Sequence, residues 1–176
     1  MFFLLYKKQL KNTLKTITMF IPLSEEAITA IKKHTDCSIS CGEFIDIRYV
    51  EDLRKKEISV ISVTTAHEYI SAMSSCPYRG DYDSLVTALS DHPEANSLIL
   101  LRPASDSSVE WIEQAIATTN IKKIIYFGEY RGGCDGSDLL FDVLEEKHHQ
   151  ILEDTTLVEF SGRRLWLLVF EIIRLD

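Results

Sequence analysis

Residues 97–136 read SLILLRPASDSSVEWIEQAIATTNIKKIIYFGEYRGGCDG, and the class of the fold follows from them. Ser97 to Leu101 is an unbroken apolar run that stops at Arg102-Pro103, the pattern of a buried parallel strand emerging into a loop. From Val109 to Thr118, Val109, Ile112, Ala115 and Ile116 share one helical face, with Trp111 to the side. Ile121 to Phe127 is a second apolar strand, and Gly128 ends it. A strand, a helix and a strand in this order make a crossover unit, which joins parallel neighbours in one sheet.

The alternation continues in both directions. Toward the C-terminus, Ser137 or Asp138 caps a helix through Leu140, Phe141, Val143 and Leu144, with His148-His149 at its end as a surface pair favoured by the helix dipole. Thr155 to Phe160 and Leu165 to Ile173 then read as two strands of a hairpin, turning at Ser161-Gly-Arg-Arg164. Toward the N-terminus, Ser24 caps a helix with Glu25 and Glu26 in its first turn and Ala27, Ile28 and Ile31 inward. A short strand from Ser38 to Cys41, a helix from Tyr49 to Lys56, a β-branched strand from Ile58 to Val63 and a helix from Asp83 to Ser90 complete the pattern. The expected architecture is a three-layer α/β/α domain over residues 20–176, with a mostly parallel sheet and a C-terminal antiparallel hairpin.

Composition bounds the function. The chain has 176 residues, 45% hydrophobic, with 27 acidic against 19 basic side chains and a net charge of -8. A chain of this size hides about 70% of its unfolded surface and needs no staple. The acidic balance argues against a surface dedicated to nucleic-acid backbones. The four cysteines, Cys37, Cys41, Cys76 and Cys134, form no CxxC pair and read as reduced thiols in a cytoplasmic protein. Residues 1–19 open with six mainly apolar residues followed by Lys7, Lys8, Lys11 and Lys15, too short an apolar run to span a bilayer. Leu10, Leu14, Ile17 and Ile21 recur at helical spacing, so this arm is expected to be an amphipathic helix, packed on the domain or offered to a protein partner or a second copy.

In an open parallel sheet, ligands sit outside the carboxyl ends of the strands. The richest of these ends here is Gly128-Glu-Tyr-Arg-Gly-Gly-Cys-Asp-Gly136, which packs four of the seven glycines into nine residues before a helix. Two readings stand: a tight strand-to-helix turn, or a backbone cradle that presents N–H groups to a ligand. Its spacing matches neither a P-loop nor GxGxxG. Tyr78-Arg-Gly-Asp81 marks another turn, and Asp81 and Asp83 are candidates to cap the helix that follows.

With the LILLRPA, IIYFGEYRGGC and GD segments and the closing hairpin, the chain resembles a poorly characterised family of class I S-adenosylmethionine-dependent methyltransferase-like proteins. In that family one strand ends in a Trp-Pro-Pro segment and the next in Gly-Glu followed by Gly-Gly-Cys. Ile121 to Asp142 carries the nearest likeness, and Ser97 to Ala104 a weaker one. The resemblance implies a Rossmann-like seven-stranded sheet with its last strand inserted antiparallel, and S-adenosylmethionine as cofactor. It implies cofactor contacts at Gly42, Glu43, Thr64, Asp81 and Gly128, and an acceptor side formed by Pro103, Arg131, Gly132 and Gly133. No metal is implied.

Two departures bear on function. Where this class has a Gly-rich loop after its first strand, the chain has Ser40-Cys-Gly-Glu-Phe-Ile-Asp46, with one glycine. Where the class has an acid that accepts both ribose hydroxyls, the chain has Thr64, a single hydroxyl. Methyl transfer is an in-line displacement that needs alignment and a proton acceptor. Glu129 is the candidate acid or base; Arg102 either grips an anionic acceptor or pairs with Asp106 as a solvated residue. The readings that follow are a small methyltransferase acting on an unknown small-molecule or protein acceptor, and a methyltransferase-like binding module that has lost its cofactor.

Overall fold

The computed structural model describes residues 21–42, 47–65, 80–103, 107–131, 135–146, 149–160 and 163–174. The amphipathic arm expected over residues 1–19 therefore lies outside the described residues. In chain order the elements are α1 (Glu25–His34), β1 (Cys37–Gly42), α2 (Ile47–Lys55), β2 (Ser59–Thr64), α3 (Leu85–Asp91), β3 (Ser97–Leu101), α4 (Ser107–Ala117), β4 (Lys123–Glu129), α5 (Asp138–Glu146), β5 (His149–Phe160) and β6 (Arg163–Ile172).

One sheet runs in the order β2-β1-β3-β4-β6-β5. The first four strands are parallel, and β6 inserts antiparallel between β4 and β5. Val169 of β6 faces Ile125, and Leu165 faces Glu129. Among the described residues the sheet has six strands rather than seven. Beyond β2 the described residues add an isolated parallel bridge from Val63 to Tyr82.

Strand periodicity divides the core into two layers. Cys41, Val63, Leu98, Leu100, Ile124, Tyr126 and Phe170 pack under α3, α4 and α5. Val60, Ile99, Ile125, Phe127, Leu167 and Val169 pack under α1 and α2. Both faces are covered, so β3 and the middle of β4 are buried residue after residue instead of alternating. Trp111 is fully inside this core, because a parallel sheet turns a wider face of α4 inward than a half-exposed one would.

The helix caps explain where the helices start. Ser24 Oγ accepts from the Ala27 N–H at 3.1 Å, as its position before two glutamates implies. Ser84, rather than Asp81 or Asp83, caps α3, and Ser137 Oγ accepts from the Leu140 N–H at the start of α5. The other difference is at the C-terminal end. α5 stops at Glu146, and His149 opens a twelve-residue strand instead of closing a helix. The acidic, mixed run His149 to Asp154 has weak strand character, and pairing with β6 decides its state.

Candidate functional site at the strand ends

The carboxyl ends of β1 and β2 lie side by side, with Gly42 opposite Thr64. The segment Gly80–Tyr82 crosses beside them: Thr64 N–H donates to the Tyr82 carbonyl at 2.9 Å, and Tyr82 N–H to the Ser62 carbonyl at 3.0 Å. Gly80 has to be glycine here, since a Cβ would stand 2.6 Å from the Thr64 nitrogen. Ser40, Ser62 and Thr64 are all fully buried. Ser62 is bonded, but among the described residues Ser40 Oγ and Thr64 Oγ1 have no hydrogen-bond partner. Cys41, between Ser40 and Gly42, points into the opposite layer, and burial pushes its thiol up, away from the reactive thiolate.

Asp81, expected at the cofactor, is engaged at the sheet edge. Its Oδ2 accepts from the Ser62 N–H at 2.8 Å, the Ser62 hydroxyl at 2.9 Å and Arg54 Nη2 at 2.5 Å. Arg54 also donates to the Val60 carbonyl. Burial pushes the Asp81 carboxyl up, but the Ser62 and Arg54 hydrogen bonds outweigh it and hold it below the usual carboxylate range. Together Asp81 and Arg54 satisfy edge groups of β2 that would otherwise offer themselves to another strand.

The ends of β3 and β4 are built differently. Arg102 adopts a left-handed backbone, φ 51°, uncommon for a residue with a side chain. Its N–H donates to the Phe127 carbonyl, and its Nε donates to Asp135 Oδ2 at 2.8 Å. The pair is nearly enclosed, with 12% and 6% of the two side chains exposed. Burial alone would ease the proton off Arg102, but the Asp135 carboxylate overrides it and raises the guanidinium further above its ordinary value. Arg102 is thus not a solvated strand-end residue, and its partner is Asp135; Asp106 lies outside the described residues.

Asp135 Oδ2 also accepts from the Glu129 N–H at 3.2 Å. Tyr126 sits below, its hydroxyl 2.5 Å from the Glu129 carbonyl and 2.7 Å from the Asp135 carbonyl. Burial, with Asp135 and Glu129 nearby, raises this phenol well above its ordinary value, so it is a donor throughout the working range. Gly128 is explained by the same hydroxyl, because a Cβ there would stand 2.6 Å from it. Gly136, φ 76°, donates its N–H to the Pro103 carbonyl and admits Leu140 against its α-carbon. Pro103 itself is buried.

Arg131 turns back onto α5. It donates to Asp142 and Glu145 at 2.8 Å each and lies over the Phe141 ring. Glu145 and Asp142 raise its guanidinium above the usual value. Glu129 is half-buried at the end of β4, with its backbone held on both sides. Glu43, Gly132 and Gly133 lie outside the described residues. Among the described residues no group of three or more His, Cys, Asp or Glu side chains is placed to hold a metal ion, and no helix is long and apolar enough to cross a membrane. A surface groove of about 300 Å³ lined by Glu25, Ile28, Thr29, Lys32, Lys33 and Lys56 lies beside the amino end of β2, not at the strand tips.

Sequence reasoning missed Tyr126 and Asp135. The signal was present: Tyr126 and Gly128 are two apart on one strand and share a face, so a missing Cβ leaves room for a long neighbour.

No protein-family model matches the chain, and no curated protein matches it in sequence. Solved structures do. The 1,6-didemethyltoxoflavin-N1-methyltransferase of Burkholderia thailandensis, with S-adenosylhomocysteine bound, is 9% identical, with a TM-score of 0.55 over 85% of this chain and 78% of that one. The tRNA (m1A22) methyltransferase of B. subtilis is 12% identical, with a TM-score of 0.54 over 86% and 67%. The magnesium protoporphyrin IX methyltransferase of Synechocystis PCC 6803, with S-adenosylmethionine bound, is 9% identical, with a TM-score of 0.51 over 82% and 74%. At such identities the likeness is one of architecture: the chain has the mostly parallel, Rossmann-like fold of class I S-adenosylmethionine-dependent methyltransferases.

Proposed function

We propose that the chain is a small methyltransferase that binds S-adenosylmethionine across the carboxyl ends of β1 and β2. The observation that supports this is the pair of buried, unpartnered hydroxyls at Ser40 and Thr64. A buried hydroxyl without a hydrogen bond costs about 1–3 kcal/mol, so such groups are rare unless a ligand or water completes them. Thr64 holds the strand-end position where the resembling class keeps its ribose-binding acid, and one hydroxyl can take one bond from a diol. The residues present therefore fit a nucleoside, with fewer bonds than a carboxylate would make. Gly42 offers a backbone without side chain opposite Thr64, Glu43 follows it, and Asp81 serves indirectly by tying down the end of β2.

When bound, S-adenosylmethionine supplies the activated methyl group. The chain's own part is to orient the acceptor and to take a proton from its hydroxyl or amine, the role of Glu129 at the end of β4. Pro103, Arg131, Gly132 and Gly133 belong to the acceptor side of this site, and Gly128 to its cofactor side. The acceptor is a small molecule or a protein rather than an extended phosphate backbone, in keeping with the net charge of -8.

A second reading has one observation in its favour. Arg102, the residue expected to grip an anionic acceptor, is held by Asp135. A non-catalytic module that keeps the fold and part of the pocket would look the same at this end. Calorimetric titration with S-adenosylhomocysteine separates the two. Saturable micromolar binding that Thr64→Val weakens supports the enzyme; flat heats from folded protein sink it and leave the module.

A further inference from the structure

The bonds at the ends of β3 and β4 form a closed circuit. Tyr126 hydroxyl reaches the carbonyls of Glu129 and Asp135; Asp135 carboxylate receives the Glu129 N–H and Arg102 Nε; Arg102 N–H returns to Phe127, and Gly136 N–H crosses to Pro103. Tyr126, Asp135, Glu129 and Arg102 each bond at least two other members. Charged members raise the stakes, since a buried carboxylate or guanidinium left alone is far costlier than a lost neutral bond.

We infer that Tyr126, Asp135 and Arg102 act as one positioning clasp, which pins the backbone of Glu129 and makes the ends of β3 and β4 open only together. All three side chains are engaged in bonds within the clasp. They set where the Glu129 carboxyl and the Pro103 backbone stand. The bearing on proton transfer rests on the methyltransferase reading above; the coupling of the two strand ends does not.

Three features point to a selected arrangement rather than incidental packing. Arg102 accepts a left-handed backbone to reach Asp135. Gly128 gives up its side chain to admit the Tyr126 hydroxyl. The Tyr126 ring is already held edge-on by Phe141, centroids 5.1 Å apart, so the hydroxyl is not required to bury the ring.

Amide hydrogen exchange on the full chain tests the clasp. Tyr126→Phe keeps the ring and removes one oxygen, so a residue that only filled space would be replaced without consequence. The expected result is roughly tenfold faster exchange at the amides of Glu129 and Gly136, and equally at Arg102, which does not touch the hydroxyl. Ile99 and Ile125, deeper in the sheet, should change less. An Arg102 amide that keeps its wild-type rate in this variant overturns the coupling, as does an unchanged rate at all three. Should Tyr126→Phe fail to fold, Asp135→Asn, which keeps an oxygen for the Glu129 N–H but loses the charge facing Arg102, is held to the same three amides. Titrating the wild type with S-adenosylhomocysteine judges the methyltransferase reading separately, since the exchange result stands whether or not that ligand binds.

Discussion

The ends of β1 and β2 and the ends of β3 and β4 belong to one sheet and face the same side, yet they are finished in opposite ways. At the first pair, two buried hydroxyls have no partner among the described residues. At the second, a buried ion pair, a tyrosine hydroxyl and three backbone groups are closed on one another. A polar atom that is buried and unbonded is a cost to the folded chain alone, and a ligand is one way to offset it. A polar circuit that is complete resists rearrangement and serves to hold a shape. On the function proposed above, one half of the sheet's rim binds and the other positions.

The largest expected effect breaks the closed half. Asp135→Ala leaves Arg102 enclosed without its counter-charge and strips an acceptor from the Glu129 N–H, so unfolding by urea should show a loss of about 3–5 kcal/mol. A loss under about 1 kcal/mol would mean that water already screens the pair and that this end is no more closed than the other. Next comes Gly128→Ala. Its Cβ must displace the Tyr126 hydroxyl or the Asp135 Cβ, which it would meet at 2.6 Å and 3.0 Å, and the expected cost is about 1–3 kcal/mol. The same change at Gly80 crowds backbone at Thr64 and Ser62 rather than a side chain, so it should cost at least as much.

Thr64→Val sharpens the open half, because stability and binding should move apart. Removing an unpartnered buried hydroxyl relieves a desolvation cost, so the variant should unfold at the same or a slightly higher urea concentration, by no more than about 1 kcal/mol. Its affinity for S-adenosylhomocysteine should fall about tenfold, the value of one hydrogen bond of the stronger kind. Lower stability together with unchanged affinity would show that the hydroxyl serves the fold.

What could be read from sequence follows the same division. The apolar runs Ser97–Leu101 and Ile121–Phe127 announced buried parallel strands, because two covered faces require unbroken hydrophobicity. Ser24 announced its helix through local capping chemistry. Edge elements were harder: the first half of β5 is a strand only because β6 pairs with it, and the Tyr82 bridge is a single contact. At the site, the glycine run was visible but its cause was not. Gly128 answers to a tyrosine hydroxyl, and Gly136 to a positive φ and the Leu140 side chain, neither of which a spacing pattern encodes. Arg102 was noticed for its charge, whereas its partner thirty-three residues away is a matter of tertiary geometry.

The smallest expected effect concerns Asp81, a candidate in the open half whose carboxylate is already engaged. Its folded-state carboxyl lies below the ordinary value, so the stabilisation it contributes is present above its unfolded pKa of about 3.9 and is lost as pH falls through the folded value. Because the side chain is 43% exposed, solvent screens the Arg54 pair, and the contribution should not exceed about 1 kcal/mol. Asp81→Asn should therefore lower the urea midpoint at pH 7 and converge with the wild type only once the pH has fallen below the folded carboxyl's lowered value, where both side chains are neutral. If Asp81 acts only through Ser62 and the end of β2, the variant's affinity for S-adenosylhomocysteine at pH 7 should fall less than that of Thr64→Val. A larger fall would place Asp81 against the ligand itself and make the edge bonds secondary.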